Sequence, residues 1–195
     1  MYRLFSVLVF VALIGPAMAQ EIAEPRSGVK FAAKDDDATL FGAGLRTRTI
    51  AKIKIYAIGL YVADSAIAGP LKHKPVSPDL YHELVNGDFH RKIVMKFVRD
   101  VSADQIRDAF HDALKGVSGN AETWINYFGD TRSGQEYSIS WTPSVGLETK
   151  VAGSDRAVIN DKALASAIFS IWLGDKPIQD DIKKDLVSRA PDLLK

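Results

Sequence analysis

The sequence predicts one α+β domain built on an antiparallel sheet, and three observations support this prediction. The chain has 195 residues, of which 47% are hydrophobic and 25% charged, as is usual for a globular domain that can bury a core. Its predicted elements follow the order strands, helices, strands, helices, rather than the strict alternation that makes a parallel sheet. Its most prominent apolar stretch, Phe41–Tyr61, is rich in β-branched and aromatic residues, which favour strands.

The first nineteen residues have the features of an export signal rather than of a folded element. Arg3 provides a positive start, Leu4–Ile14 an apolar segment, and Ala17–Ala19 a small-residue cleavage site. The apolar segment is shorter than the about 20 residues that span a bilayer. We therefore expect residues 1–19 to be a signal peptide and residues 20–195 a single domain without a stable membrane anchor. The expected location is the bacterial periplasm, with secretion from another cell type as the alternative; the absence of cysteine agrees with an oxidising compartment.

Short apolar runs bounded by turn-forming residues predict the strands around that stretch. Before the first of them, the polar segment Gln20–Ser27 is expected to be a mobile leader. Asp35–Asp37 are expected in a solvated turn, because they lack the ligand spacing of a calcium-binding loop. Both faces of Arg91–Val98 are largely apolar, so this strand is expected near the centre of the sheet. The predicted strands are Val29–Ala33, Ala38–Phe41, Arg91–Val98, Gln135–Trp141, Gly146–Val151 and Arg156–Ile159.

Helices are predicted where a capping residue precedes apolar residues at helical spacing. Ser102 and Gln105 have the spacing of a capping box, and Asp161 is placed to cap the last long helix. Pro78, directly after Ser77, is suited to the first turn of another helix. The remaining predicted helices are short segments within Asp64–His73, Asn120–Phe128 and Ile178–Val187.

The stretch Phe41–Tyr61 is too long for one ordinary strand, so a bend or hairpin near Ala51 is expected. A turn centred on Ala51 would place Arg46 directly opposite Tyr56, although the usual turn residues are missing between them, and a turn shifted by one residue would make them diagonal. In a continuous strand too, their even numbers put them on one face. A guanidinium and a phenol on one face can hold a carboxylate, whereas an arginine near a strand end is most often a solvated surface residue.

Motif searches leave little support for metal, cofactor or nucleic-acid chemistry. The balance of 25 basic and 24 acidic residues creates no global field for nucleic acid. Gly42 and Gly44 form a G-x-G without the third glycine of a nucleotide fingerprint, and neither a G-x-S-x-G motif nor a cysteine nucleophile is present. We therefore expect no metal, no cofactor and no nucleic-acid partner. The histidines, none in a metal-binding spacing, are His73, His82, His90 and His111.

Three segments together resemble the chalcone isomerase superfamily. They are Gly42–Val62, Phe89–Ala113 and Asn160–Ile178, the last of which contains I-W-L-G-D-K-P-I. The likeness spans nearly the whole predicted mature chain. It implies an open-faced β-sandwich, in which helices cover one face of a large antiparallel sheet and a ligand cleft lies between them.

The resemblance also implies roles for individual residues. Arg46 corresponds to an arginine shared by the isomerases and the related fatty-acid-binding members, and Tyr56 to a tyrosine that helps those members hold a carboxylate. Ser170 falls where the isomerases carry a threonine or serine that determines specificity. Ile106 and Ala113 replace a catalytic tyrosine and a substrate-binding asparagine, which implies that chalcone isomerase activity is lost. Other residues expected to line the cleft are Phe110, Trp124, Phe128 and Trp172.

The function implied by this resemblance is periplasmic binding of a fatty acid or a similar amphipathic carboxylate, rather than catalysis. An isomerase or intramolecular lyase acting on a phenolic or other unsaturated substrate is the alternative, with Arg46 as electrophile and Tyr56 as acid or base. A structural or partner-binding role with an unused cleft is a third hypothesis. The first hypothesis requires Arg46 and Tyr56 to meet inside an apolar cleft.

Overall fold

The computed structural model describes residues 20–48, 51–117 and 119–195. The predicted signal peptide, residues 1–19, lies outside these ranges and stays a prediction. The described residues form a seven-stranded antiparallel sheet whose strands follow one another in chain order, together with a two-stranded hairpin. The hairpin consists of β1 (Glu21–Ala23) and β2 (Lys30–Ala32); the large sheet consists of β3 (Lys34–Asp35), β4 (Ala38–Arg48), β5 (Ile53–Ala63), β6 (Arg91–Phe97), β7 (Glu136–Thr142), β8 (Gly146–Val151) and β9 (Ser154–Asp155). The antiparallel prediction is confirmed, and β6 is the central strand, as its two apolar faces predicted.

Two of the helices begin at the capping residues that the sequence predicted, Ser102 and Asp161. Ser102 Oγ accepts a hydrogen bond from the Gln105 backbone N–H at 3.3 Å, and Gln105 Oε1 accepts one from Ser102 N–H at 3.3 Å. Asp161 Oδ1 accepts from the Leu164 N–H at 2.9 Å. Within the described ranges, none of the helices combines the length and the apolar character needed to cross a bilayer. The helices are α1 (Asp64–Ala68), α2 (Pro78–Asn86), α3 (Ala103–Ala113), α4 (Ala121–Ile125), α5 (Lys162–Leu173), α6 (Asp180–Asp185) and α7 (Ala190–Leu193).

The prediction of a strand at Arg156–Ile159 is wrong. The strand there is β9, which starts two residues earlier, because Ala152 and Gly153 both adopt positive φ, 50° and 83°, and reverse the chain at once. Ile159 joins the sheet only through an isolated bridge to Leu147. The short helix α7 was not predicted, and α6 begins two residues after the predicted start at Ile178.

Alternate residues of β5 point to the two faces of the sheet. Tyr56, Ile58 and Leu60 belong to the main core, which lies between the sheet and the helices. Ala57 and Tyr61 belong to a smaller apolar cluster on the outer face, beneath the β1–β2 hairpin. Because successive side chains of a strand point to opposite faces, one face of the sheet is covered by the helices and the other only by the hairpin.

The expectation of a mobile leader at Gln20–Ser27 is wrong, because part of this segment forms β1. Ile22 lies opposite Phe31 in the β1–β2 hairpin, and Phe31 is fully buried in the outer cluster. Burial of a phenylalanine side chain contributes about 1.5–3 kcal/mol, which offsets the entropy lost when the hairpin becomes ordered. The local sequence is polar, so its order depends on a contact with a distant part of the chain.

A buried carboxylate ties the loop after β1 to helix α6. Glu24 is fully buried and accepts hydrogen bonds from Arg26 Nε at 3.0 Å, Ser27 N–H at 2.7 Å and Ser27 Oγ at 2.6 Å. Arg26 also pairs with Asp185 of α6. Burial acts to raise the pKa of Glu24, but the hydrogen bonds from Ser27 and Arg26 outweigh it and hold the pKa below its ordinary value of 4.5.

We expect Glu24 to make the fold sensitive to acid. Because its pKa is lower in the folded protein than in the unfolded chain, its contribution to stability is fully present above 4.5 and is lost as the pH falls through the folded-state value. Urea denaturation at about pH 7 and about pH 3.5 should therefore show a smaller loss of stability in Glu24→Gln than in the wild type. Equal losses in the two proteins would contradict this assignment.

Gly42 and Gly44, the G-x-G pair, allow α6 and the turn after it to lie directly on β4. A Cβ atom at Gly42 would collide with the carbonyl oxygen of Asp185 and lie 2.6 Å from the carbonyl carbon of Leu186. A Cβ atom at Gly44 would lie 3.0 Å from the Asp185 Cβ. The missing side chains thus permit a close approach, which brings Gln179, the residue before α6, to the end of β4.

Candidate ligand-binding site

A cleft of about 980 Å³ opens on the helix-covered side of the sheet, between strands β4 to β6 and helices α3 and α5. This volume is near the upper end of the range of about 300–1,000 Å³ that is usual for small-molecule sites. Part of the wall is apolar and nearly inaccessible to solvent. The side chains of this part include Met95, Phe97, Ile106, Phe110, Ile171 and Trp172.

The open edge of the cleft carries charges of both signs. Arg48, Arg99 and Lys176 are exposed cations of this edge. Asp108 and Asp112 are exposed acids, one helical turn apart on α3. The cleft therefore has an apolar interior and a charged rim, which suits a molecule with one apolar and one polar end.

Arg46 and Tyr56 lie directly opposite each other in the β4–β5 ladder, and both belong to the wall of the cleft. The predicted hairpin with Arg46 facing Tyr56 is therefore confirmed; residues 49 and 50 of its turn lie outside the described ranges. The register shifts immediately after this pair, because Thr47 pairs with Lys54 and Ile55 of β5 is passed over. Such an irregularity changes the direction of neighbouring side chains, and this one adjoins Arg46.

Tyr56 is a buried phenol whose own proton is available to a ligand. Its side chain is 7% exposed, and its hydroxyl oxygen accepts a hydrogen bond from Trp172 Nε1 at 3.1 Å. Within residues 20–48, 51–117 and 119–195 no acceptor takes the hydroxyl hydrogen. Burial raises the pKa of Tyr56, although the Trp172 hydrogen bond and the charge of Arg46 oppose this effect. The phenol is therefore protonated at neutral pH and acts as a donor.

Arg46 is half-buried, and among the described residues only one of its three nitrogens has hydrogen-bond partners. Its Nη1 donates to the carbonyl oxygen of Thr47 at 2.9 Å, to that of Ile178 at 3.4 Å and to Gln179 Oε1 at 3.3 Å. In the part of the chain that the structure describes, Nε and Nη2 have no hydrogen-bond acceptor. These two nitrogens form the side of the guanidinium that binds both oxygens of a carboxylate.

The other predicted site residues divide into two groups. The wall of the cleft contains Ser170, Ile106, Phe110, Ala113 and Trp172. The Ser170 hydroxyl donates to the carbonyl oxygen of Ala167 at 2.7 Å, within its own helix. Whether these residues contact a ligand stays a prediction.

Trp124 and Phe128 do not form part of this wall, so the prediction that they line the cleft is wrong. Both are fully buried in an aromatic cluster behind Phe110, with ring centroids 4.8 Å from that of Phe110. Trp124 Nε1 donates to Thr149 Oγ1 at 3.0 Å, which draws the indole towards β8 and away from the cleft. An apolar stripe indicates that a helix is buried but not which neighbour buries it, so the sequence could not separate these residues from Phe110.

The sequence did not predict Gln179, Phe97 or the charged rim as parts of the site. Arg48 shares the even-numbered face with Arg46, which was a usable signal. No sequence pattern indicated Gln179, because it lies in the loop after α5 and contacts β4 only in the folded protein. Among the described residues, no group of three or more His, Cys, Asp or Glu side chains is placed to hold a metal ion.

Comparison with known proteins gives one family match and several similar sequences. The sequence model of the family described as chalcone isomerase-like matches residues 19–188. Chalcone isomerase-like protein 1 of Humulus lupulus is 30% identical over 176 residues, which cover 78% of this chain and 82% of that protein. A chalcone–flavanone isomerase of Phaseolus vulgaris is 27% identical and covers 80% of this chain and 83% of that protein.

Two fatty-acid-binding proteins of Arabidopsis thaliana are also similar to this chain. Fatty-acid-binding protein 2 is 25% identical over 205 residues, covering 88% of this chain, which spans only 51% of that protein's length. The crystal structure of another fatty-acid-binding protein superposes with a TM-score of 0.76 at 18% identity, covering 90% of this chain and 99% of that one. This superposition confirms the predicted fold, a curled antiparallel sheet with helices. Named isomerases and named binding proteins are thus both relatives, so the choice between these functions depends on the chemistry of the cleft.

Proposed function

This chain belongs to the chalcone isomerase-like family, and we propose that it binds a fatty acid or a similar amphipathic carboxylate in the cleft. One observation carries the proposal: Arg46 and Tyr56 face each other in the cleft wall with Nε, Nη2 and the phenol proton unused by the described protein groups. A carboxylate has two acceptor oxygens and a negative charge. It would accept two parallel hydrogen bonds from the guanidinium and one from Tyr56.

The apolar interior of the cleft is suited to the acyl chain of such a ligand. Burial contributes about 0.8 kcal/mol per CH₂ group, so a chain of about ten buried groups contributes about 8 kcal/mol before the costs of association. The tail would therefore supply most of the affinity, while Arg46 and Tyr56 would determine the orientation of the head group.

Two features favour binding over the alternative function, isomerase or lyase catalysis. Ile106 and Ala113 in the cleft wall offer no group that can transfer a proton. The raised pKa of Tyr56 keeps the phenol protonated, so that it can donate a hydrogen bond but supplies no phenolate to act as a general base at neutral pH. The similarity to a fatty-acid-binding protein agrees with this choice.

The proposed location is the bacterial periplasm, after removal of residues 1–19. The support is the sequence alone: a positive start, an apolar segment and a small-residue cleavage site. Amino-terminal sequencing of the exported protein tests this proposal, and the expected first residue is Gln20. A first residue upstream of the apolar segment, or retention in the cytoplasm, would contradict it.

Arg46→Ala is expected to reduce the affinity for a fatty acid by about 10- to 100-fold, which corresponds to the loss of charge-assisted hydrogen bonds. Bound acyl carboxylates, extracted with organic solvent and identified by mass spectrometry, should be stoichiometric in the wild type and depleted in the variant. The thermal unfolding temperature should change little, because Arg46 bonds to the described residues through only one nitrogen. Calorimetric titration measures the affinities.

Arg132→Ala is the matched control, since it removes an exposed cation that does not belong to the wall of the cleft. Its affinity for a fatty acid should stay within about twofold of the wild type, as expected for a screened surface charge. A wild type that binds no acyl carboxylate but converts a chalcone, with loss of turnover in Arg46→Ala, would establish the isomerase alternative instead. Equal affinities of the wild type and Arg46→Ala would remove Arg46 from the site.

A further inference from the structure

The side chain of Gln179 occupies the open edge of β4 at the place where Arg46 emerges. Gln179 Oε1 accepts a hydrogen bond from the Thr47 backbone N–H at 3.1 Å, and Gln179 Nε2 donates to the Leu45 carbonyl oxygen at 3.3 Å. This is the pattern that a residue of a neighbouring parallel strand would make with the residues on either side of Arg46. The Thr47 N–H requires an oxygen and the Leu45 carbonyl requires an N–H, so the backbone of β4 determines the orientation of the amide.

The same amide oxygen also holds Arg46. Gln179 Oε1 lies 3.3 Å from Arg46 Nη1, which further donates to the carbonyl oxygens of Thr47 and Ile178. Nη1 carries two hydrogens, and both are donated to these three oxygens, so that two of the oxygens share one hydrogen. The guanidinium is thereby fixed at one end, and its Nε–Nη2 side is left as the free fork for a ligand.

All three oxygens that hold Arg46 are neutral. Two are backbone carbonyls and one is an amide, and no carboxylate of the described residues pairs with this arginine. The positive charge is therefore oriented without being neutralised. An arginine held by a glutamate or aspartate would be equally well oriented, but it would offer a ligand anion much less attraction.

We propose that Gln179 is the positioning residue of the cleft: it aims the Nε–Nη2 fork of Arg46, and its neutral amide makes the site selective for a free acyl carboxylate over neutral acyl compounds. This inference rests on the proposed function. It deepens that function by naming the ligand class, a single carboxylate bound side-on to Arg46, and the residue that determines it. Esters, amides and alcohols of the same chain would lack the second acceptor oxygen or the charge that the fork requires.

The test compares lauric acid with dodecanol, its neutral analogue, in calorimetric titrations of the full protein and of Gln179→Glu. The variant side chain keeps the size and can still accept from Thr47 N–H, but it places a carboxylate against Arg46. Affinity for lauric acid should fall by about tenfold or more, while affinity for dodecanol stays unchanged. The unchanged dodecanol affinity shows that the cleft is intact, so a misfolded variant cannot imitate the expected result.

Gln135→Glu is the matched control, because it adds the same charge at a position outside the wall of the cleft. Gln135 Oε1 accepts a hydrogen bond from the Arg132 N–H at 2.7 Å, and a glutamate keeps this acceptor, so the fold is retained. Gln135→Glu should keep the preference for lauric acid over dodecanol. Gln179→Ala should lie between the wild type and Gln179→Glu in its affinity for lauric acid, since it releases Arg46 without neutralising it.

The outcomes separate this inference from the function on which it rests. A wild type that prefers lauric acid, with the preference lost in Gln179→Glu and kept in Gln135→Glu, supports the inference. Preference kept in Gln179→Glu, or lost equally in both glutamate variants, overturns the role of Gln179 while the proposed function survives. A wild type without preference for lauric acid overturns the proposed function, and the inference falls with it.

Discussion

Trp172→Ala is expected to lower the free energy of unfolding by about 3–5 kcal/mol, the usual cost of truncating a buried tryptophan. Trp172 is fully buried on α5, in the layer between the helices and the sheet. The truncation would leave a cavity in the main core and would remove the indole donor from the Tyr56 hydroxyl. Urea denaturation, with the midpoint and slope compared between the two proteins, measures the effect.

Trp172→Phe separates the two contributions, because it keeps most of the apolar volume and removes only the hydrogen bond. Its loss of stability should be clearly smaller than that of the alanine variant. Affinity for an acyl carboxylate should nevertheless decrease, because Tyr56 loses the partner that orients its hydroxyl group. A Trp172→Ala protein as stable as the wild type would mean that this helix does not anchor the core.

Gly42→Ala is expected to destabilise the fold by about 3 kcal/mol, at the upper end of the usual range for overpacking. The added Cβ would meet backbone atoms of Asp185 and Leu186, which cannot move aside by a rotamer change. Relief requires the α6 segment to shift away from β4. Such a shift would also withdraw Gln179 from Arg46, so ligand affinity should fall together with stability. Thermal unfolding and calorimetric titration measure the two effects.

Gly129→Ala is the matched control for this substitution. Nothing lies within 4 Å of a Cβ built at Gly129, and its φ lies outside the left-handed region. The control should leave stability unchanged or increase it slightly, because alanine restricts the unfolded chain. Gly42→Ala and Gly129→Ala proteins of equal stability would refute the close approach of α6 to β4.

Local patterns predicted most of the regular elements because the forces that make them act between chain neighbours. The capping box at Ser102, the cap at Asp161 and the apolar faces of β6 each depend on residues only a few positions apart. The pairing of Arg46 with Tyr56 was accessible for the same reason: one short turn connects two adjacent strands, and the period of two determines which residues share a face.

Contacts between distant segments account for the wrong predictions at Gln20–Ser27 and Trp124. The segment Gln20–Ser27 is polar and looks mobile, yet β1 is ordered by pairing with β2, which is itself anchored by Phe31 on the outer face of the sheet. Trp124 belongs to an apolar stripe like that of Phe110, but its indole bonds to the hydroxyl of Thr149 on β8 and lies behind Phe110 rather than in the cleft wall. Periodicity indicates how much of a helix is buried, and the neighbouring elements determine what it is buried against.

The sequence by itself determined an antiparallel α+β fold of this family and brought Arg46 and Tyr56 to one face, because strand periodicity and a short connection suffice for both. Only the tertiary structure decided how that arginine is presented. Gly42 and Gly44 admit α6 to the edge of β4, and Gln179, which is 133 positions from Arg46 in the chain, then holds the guanidinium without neutralising it. A contact across such a separation depends on the packing of whole elements, and no local pattern of residues encodes it.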